Sequence, residues 1–586
     1  MTTFHKVLLI VTLLSLSCLV FVVEAKVKKN HPTFEIPIPG PDQGIPKPDF
    51  ETNSKGLWEI LSINSGVSAM QINLMPTNKI VVYDATIFRI SRLLLPKGVP
   101  CVPFQDLKSR EDKVDCFAHS MEYDLATNQV RPLKVTADPW CSGGGLAPDG
   151  TLISTGGFLD GAKTIRYYGG PAGCKGANCD WREYNNALQE ARWYGTQVIL
   201  ANGDFIVVGG RRAFSYEYLP RIEGQRPLKP YFFPFLYETS DLEENNLYPF
   251  VHLSTDGNLF IFSNNRSLLL NPATNKVVRT FPVLNGGSRN YPASGMSALL
   301  PINLATNEPI KAEVIVCGGN SHDAFYLAEQ KQKVFQPASI DCNRMVITDQ
   351  IARWETEDMP SRRIMGDCII LPNGQLLFIN GAQRGTAGWW DADTPNLTPA
   401  LYNPEKLKGQ RFTQLNPTQI SRMYHSTSAL LPNGKIWVAG SNTHDTYKDV
   451  DQFPTETRVE GFSPPYLDPA LDKFRPIIDE VFSTKNLKYG HKLETIFKLP
   501  QDINNNVAKN DIKITMYFPP FTTHGYSMSQ RLVVIKSRTM FKNVQGLFSI
   551  ESLAPPSGEV APPGYYILYV VHRGVPSKGM WVNIEE

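Results

Sequence analysis

The chain has 586 residues, too long for one ordinary hydrophobic core unless it is built from repeats. Hydrophobic residues make up 42% and charged residues 19%, a globular composition, and a formal net charge of +2 leaves no basic excess for phosphate contacts, which argues against a nucleic-acid binder. The 43 glycines and 45 prolines point to many turns and therefore to short strands.

The N-terminus reads as a targeting segment. "MTTFHKVLLIVTLLSLSCLVFVVEA" carries Lys6, then a long apolar run, then small residues ending at Ala25, which predicts a signal peptide over 1–25. A membrane anchor is the alternative reading, and no other stretch is apolar for long enough to span a bilayer. The chain is thus expected to be secreted and extracellular, in the apoplast or cell wall if it comes from a plant, with no membrane attachment once the signal is removed. Residues 26–66, Pro-rich at first, lead into the next region and are placed to help close it.

From 67 to 470 one phrase recurs: an apolar strand, a turn, and a second apolar strand that often ends in Gly-Gly. It occurs over 68–85, 143–157, 196–210, 250–265, 297–319, 367–382 and 428–442. The copies lie roughly 50–70 residues apart, near or above the kelch propeller period of about 50. "DG" and "NG" turns between apolar runs are strong hairpin signals. Seven copies predict a seven-bladed kelch-like β-propeller; a sandwich with coincidental hairpins is the competing architecture. "FSPPYLDP" at 462–469 then punctuates the chain, and 471–586 changes to short alternating strands without Gly-Gly, the texture of a C-terminal immunoglobulin-like β-sandwich. The fold class is therefore all-β.

Nine cysteines less Cys18 of the signal leave eight, an even number that in an oxidising compartment means bridges. The close pairs are Cys101–Cys116 and Cys174–Cys179. Cys317 and Cys342 form a third candidate pair, leaving Cys141 and Cys368. The triplets "NRS" and "NLT" mark Asn265 and Asn396 as candidate glycosylation sites.

Strand entrances carry the chemistry: "DPWCSGGG" with Cys141, "ARWYGTQ" with Tyr194, "SRMYHSTS" with Tyr424 and His425 and, in the last domain, "PFTTHGYSMSQR" with His524. In a propeller the entrances of equivalent strands converge on the axis, so residues hundreds of positions apart can meet. Two imidazoles and two phenol oxygens form a mixed N,O ligand set suited to Cu(II). A bound dication would also lower the pKa of a coordinated phenol from its free value of about 10. Each residue alone has a blander reading, as a satisfied core tyrosine, a hydrogen-bonding histidine or a small buried thiol.

These four motifs, in this order across a propeller and a C-terminal sandwich, resemble the copper radical oxidases, the galactose oxidase and glyoxal oxidase family. The resemblance covers essentially residues 35–586 and is closer to the glyoxal-oxidase-like branch, particularly its secreted plant members. It implies one copper per chain, held by Tyr194, Tyr424, His425 and His524, and a protein-derived thioether radical on Tyr194 and Cys141, so that Cys141 is in no disulfide. It implies Tyr194, Cys141 and Tyr424 as catalytic, with Tyr424 the base. In galactose oxidase a tryptophan stacks over the thioether; its place falls on Arg212 here, with Phe214 a candidate substitute. The implied reaction oxidises aldehydes, as hydrates, to carboxylic acids and reduces O2 to H2O2, the partners being a small-molecule aldehyde and O2 and the enzyme a monomer. A primary-alcohol oxidase acting on galactose or galactose-containing wall polysaccharide is the alternative, and a non-catalytic kelch-type scaffold the third reading.

Overall fold

The computed structural model describes residues 31–38, 47–106, 109–173, 179–306, 308–500 and 507–585, and the fold lies in one compact unit from Phe34 onward. The predicted signal, 1–25, and Cys174 of the predicted Cys174–Cys179 bridge lie outside the described residues.

The seven recurring phrases become the two inner strands of seven antiparallel sheets. Their first strands are Gln71–Met75, Gly143–Leu146, Thr196–Ile199, Phe250–Leu253, Met296–Leu299, Asp367–Ile370 and Ser426–Leu430, and each pairs with the strand that follows it, except in the fifth blade, where Met296–Leu299 pairs with Glu313–Cys317 and the short Ile302–Asn303 lies between them in sequence. Two further strands complete each blade outward, and the first strands of neighbouring blades lie side by side around the axis. In the seventh blade the outermost strand is Leu57–Ser62, paired with Val459–Ser463. A strand from the start of the chain thus latches the last blade and leaves the ring no open end.

A buried arginine holds five of these blades at the same point. Arg166, Arg192 and Arg422 donate to the carbonyls of Gly156, Gly209 and Gly440, where the second strand ends. Arg289 donates likewise to Gly318 and Arg363 to Asn380. Four of them also face a carboxylate: Arg166 meets Glu183, Arg192 meets Glu217 at 2.6 Å, Arg289 meets Asp341 and Arg422 meets Glu460. A fully buried guanidinium without such partners would be strongly destabilising, so each ion pair fixes one conformation of the turn it serves. The Gly-Gly ending has its own reason. A Cβ on Gly156 would lie 2.0 Å from the Arg192 carbonyl oxygen and one on Gly157 2.1 Å from that of Asp138, and both glycines have positive φ.

The C-terminal region forms two sheets. One runs Ser537–Lys542, Leu547–Leu553, Lys492–Lys498 and Ile477–Ile478, with Ile36–Pro37 added at its edge. The other is built on Arg531–Ile535, Ile512–Phe518, Gly564–His572 and Met580–Glu585, and takes Ile302–Asn303 of the fifth blade as a parallel edge strand. From this sandwich a hairpin, Phe521–Thr523 and Tyr526–Met528, enters the ring and pairs with Gln71–Met75, lying against the inner strands of the other blades. It fills the channel that the ring would otherwise enclose.

Cys101–Cys116 and Cys317–Cys342 are disulfides, while Cys141 and Cys368 are buried and unpaired. One sequon is corrected. Asn396 is 5% exposed, and its amide nitrogen donates to Ser361 Oγ at 2.8 Å and to the Arg362 carbonyl at 2.9 Å. The folded chain has no room for a glycan there. Asn265 lies partly exposed in the turn between Leu259–Ser263 and Arg266–Asn271.

Candidate metal centre

The blade entrances share a backbone device that the sequence motifs do not reveal. Two residues before the inner strand, or one before it in the seventh blade, six blades place a non-glycine residue in the left-handed region: Cys141 (φ 57°), Tyr194 (66°), Tyr248 (46°), Ser294 (47°), Met365 (55°) and His425 (62°). Such a conformation costs roughly 1–2 kcal/mol for an L-residue and persists only where the surroundings over-determine it. Neighbouring entrances bond to one another. The Tyr194 amide donates to the Cys141 carbonyl, the Tyr248 amide to that of Tyr194, and the Met365 amide to that of Ser294. The entrances form a collar at one mouth of the ring, bonded across the second, third and fourth blades and between the fifth and sixth; Cys141 and Tyr194 stand in the bonded part and His425 at the matching place of the seventh blade. His524, at the hairpin tip, also has positive φ, 49°.

The collar and the hairpin bring all five sequence-predicted residues together. Cys141 Sγ lies 3.3 Å from His524 Nε2, and donor atoms of Cys141, His425 and His524 all lie within 4.8 Å of one another. The His425 and His524 rings are 4.8 Å apart at 82°, and Tyr424 stacks on His425 at 3.8 Å. Tyr194 sits edge-on to His524 at 6.0 Å. His524 is oriented by Thr523, whose Oγ1 is 2.7 Å from His524 Nδ1, which leaves Nε2 facing the centre. Both ring nitrogens of His425 are buried without any hydrogen-bond partner. An orphaned buried imidazole is what a metal ligand looks like before the metal is considered, so the residues fit a bound copper.

Electrostatics agree. Burial drives the pKa of His425 well below the ordinary imidazole value and that of His524 down to about 3, so both rings are neutral and able to ligate. Burial pushes the Tyr194 and Tyr424 hydroxyls well above the usual phenol value, reinforced by neighbouring phenols and the Cys141 thiol. The thiol is raised likewise by burial, with hydrogen bonding to Tyr194 opposing. Only a cation in their midst would make ionised phenols favourable here.

Three aromatic neighbours escaped the sequence reading. Tyr291 stacks on Tyr194 at 4.4 Å, and its hydroxyl lies 3.1 Å from that of Tyr194 and 2.9 Å from that of Tyr424. Tyr248 packs edge-on against Tyr194 from the next entrance. Trp193 covers Tyr194 at 4.7 Å and 34°, with Trp140 and Phe158 behind it. This corrects the expected cover. The Arg212 side chain is 77% exposed and pairs with Glu244, and Phe214 packs on Tyr237, away from the centre. The sequence signal for Trp193 was its place beside Tyr194, which strand alternation would have turned away; the left-handed residue at 194 breaks that alternation. A cavity of about 470 Å³ opens onto Tyr194, Tyr291 and Tyr424 between Trp140, Trp193 and Trp389.

Comparison with known proteins gives a consistent picture. Residues 70–466 match the family described as glyoxal oxidase N-terminus, and residues 475–584 match that described as galactose oxidase-like, Early set domain. The chain is 52% identical to the Arabidopsis thaliana protein named aldehyde oxidase GLOX1, over 91% of this chain and 85% of that one. It is 41% identical to the Vitis pseudoreticulata protein named aldehyde oxidase GLOX, over 90% and 97%. Among solved structures, a fungal alcohol oxidase of the AA5 family in complex with copper superposes with a TM-score of 0.66 over 91% of this chain and 100% of that one, at 18% identity, a likeness of fold. With its propeller matched almost from end to end, the chain belongs to the glyoxal oxidase family.

Proposed function

We propose that this protein is a secreted copper radical oxidase that converts aldehydes, as their hydrates, to carboxylic acids while reducing dioxygen to hydrogen peroxide. One observation carries the reading: Tyr194, Tyr424, His425 and His524, drawn from two blades and a separate domain, converge with the Cys141 thiol on one buried point. The names of the plant relatives, aldehyde oxidases alike over most of both chains, support the substrate class.

Tyr194, Tyr424, His425 and His524 are the residues to hold one copper per chain. Copper, when bound, supplies a one-electron couple and a Lewis acid. Two electrons must leave the substrate, so the chain has to hold the second, and the Tyr194–Cys141 unit, joined as a thioether, is its place. The overall step is RCH(OH)2 + O2 → RCOOH + H2O2. One hydrate hydroxyl loses its proton to the Tyr424 oxygen. The hydrogen on carbon goes to the Tyr194 oxygen. Tyr291, stacked on Tyr194, and Trp193, tilted over it, shield a radical there from solvent. Tyr248, whose hydroxyl donates to the Ser142 carbonyl, fixes the ring from a third side.

Secretion rests on the N-terminal 25 residues; among the described residues no helix is long and apolar enough to cross a membrane. A monomer satisfies the site, since every residue in it comes from this chain. The test is a substrate panel on copper-loaded protein, with peroxide as readout: glyoxal and methylglyoxal beside galactose and benzyl alcohol. Peroxide from the aldehydes in preference to the alcohols is expected. Peroxide from galactose alone would shift the reading to an alcohol oxidase, and none from any of them would end it.

A further inference from the structure

Two phenols at the centre, Tyr248 and Tyr291, have no part in the ligand set; the Tyr248 hydroxyl donates to the Ser142 carbonyl, whereas that of Tyr291 faces the ligand phenols. Tyr291 comes from the loop before Met296–Leu299, and its place is built: its ring stacks on Tyr194 at 28°, its edge faces His524 at 5.6 Å, and its amide donates to the Leu247 carbonyl. Its hydroxyl lies between the Tyr194 and Tyr424 oxygens, at 3.1 and 2.9 Å, and all three phenols line the same cavity.

A phenol hydroxyl offers one proton and two lone pairs. In the proposed reaction, on which this inference rests, the Tyr194 and Tyr424 oxygens are committed to the metal and to the hydrogens that leave. The Tyr291 hydroxyl can keep its own proton on one of those oxygens and still accept a hydrogen bond from a substrate hydroxyl. A hydrated aldehyde differs from a primary alcohol at the reacting carbon in one respect: a second hydroxyl stands where the alcohol has hydrogen. With the first hydroxyl beside the Tyr424 oxygen, the second is on the same carbon and so within reach of the group 2.9 Å from that oxygen.

We propose that Tyr291 is the residue that selects hydrated carbonyls over alcohols, by hydrogen-bonding the second hydroxyl of the geminal diol. The physical basis is asymmetric. The second hydroxyl of the diol donates to Tyr291, whereas an alcohol sets a C–H there and leaves Tyr291 with the two phenol oxygens it already meets. The discrimination is therefore that of one hydrogen bond gained by the diol. Atoms balance as written above: the second hydroxyl keeps its oxygen and becomes part of the carboxyl product.

The experiment uses the copper-loaded full chain, wild type and Tyr291→Phe, and two ligands with no hydrogen on the hydroxyl-bearing carbon, so that neither can be oxidised. These are the hydrate of trifluoroacetone and trifluoro-tert-butyl alcohol, which differ only in a hydroxyl against a methyl group. Binding is read from the visible absorption of the copper centre, and copper per chain is measured beside it. Wild type is expected to prefer the diol by roughly 3–10-fold. Tyr291→Phe is expected to lose that preference with unchanged copper content and unchanged affinity for the alcohol. A wild type without preference, a variant that keeps it, or a variant that loses copper would each overturn the proposal. Absence of peroxide from every aldehyde would instead sink the proposed reaction, and the binding pair would still report on the Tyr291 contact.

Discussion

The Cys141 thiol and the His524 imidazole meet at 3.3 Å although 383 residues separate them. One stands at the entrance of the second blade and the other at the tip of a hairpin that belongs to the C-terminal sandwich. The centre therefore exists only when both domains are assembled.

His524→Ala should abolish copper binding without unfolding the chain. The imidazole is buried, but besides the thiol it bonds its neighbour Thr523, so little else depends on it. Copper per chain is expected to fall to near zero while unfolding free energy changes by about 1–2 kcal/mol. Stoichiometric copper in the variant would remove His524 from the ligand set.

Acid should destabilise the protein before copper is added. His252 and His524 are both held at about 3 by burial, below the ordinary value of 6.5. Between those values the unfolded chain binds more protons than the folded one, so stability is full above pH 6.5 and falls as pH drops toward 3. At pH 5 each histidine accounts for about 2 kcal/mol. Thermal unfolding across this range should show the loss, and copper should diminish it by binding the folded chain. A flat profile from pH 7 to pH 4 would contradict the burial argument.

Trp193→Ala should leave copper bound and shorten the life of the oxidised state, and Trp193→Phe should restore part of it. The indole lies tilted against Tyr194 at 4.7 Å, and Arg211 lies over it at 5.4 Å. Decay of the radical's optical and paramagnetic signals gives the measure. Equal decay in wild type and Trp193→Ala would show that the indole shields nothing.

Much of the fold was legible because the inner strands of each blade are buried on both faces and read as unbroken apolar runs with a turn between them. The outer strands were not. Tyr231–Phe232 and Glu355–Asp358 are short and largely exposed, and nothing in their composition marks them as strands. The five site residues were legible because each sits at a recurring phase of the repeat or in a motif of its own. Tyr291 lies three positions before the phase that the repeat would select, at Ser294, and only the loop geometry brings its hydroxyl to Tyr424. The cover of Tyr194 was misplaced for a related reason. Counting along the strand led to Arg212, whereas the left-handed turn at Tyr194 brings Trp193 back over its own neighbour.

Glycan mapping of the protein expressed through a secretory route should find Asn265 occupied and Asn396 free. The Asn396 amide is used inside the fold, and Asn396→Ala should cost about 1–3 kcal/mol through the unpaired groups it leaves. A glycan at Asn396 of the folded protein would contradict this placement.

Tyr194→Phe should keep the fold and lose turnover, since it removes one hydroxyl and adds no bulk. Cys141→Ser should keep copper while its peroxide output falls steeply, because the four proposed ligands remain and only the sulfur is gone. Copper content and peroxide production on both variants separate the two roles. Wild-type peroxide from glyoxal by Tyr194→Phe would reject this site.

The most direct measurement is peptide mapping by mass spectrometry of wild type after exposure to copper and oxygen. The account predicts one cross-linked species joining the peptides of Cys141 and Tyr194, lighter by two hydrogen atoms than their sum, dependent on copper and absent from Cys141→Ser. Active enzyme in which Cys141 is recovered as a free, alkylatable thiol would contradict it.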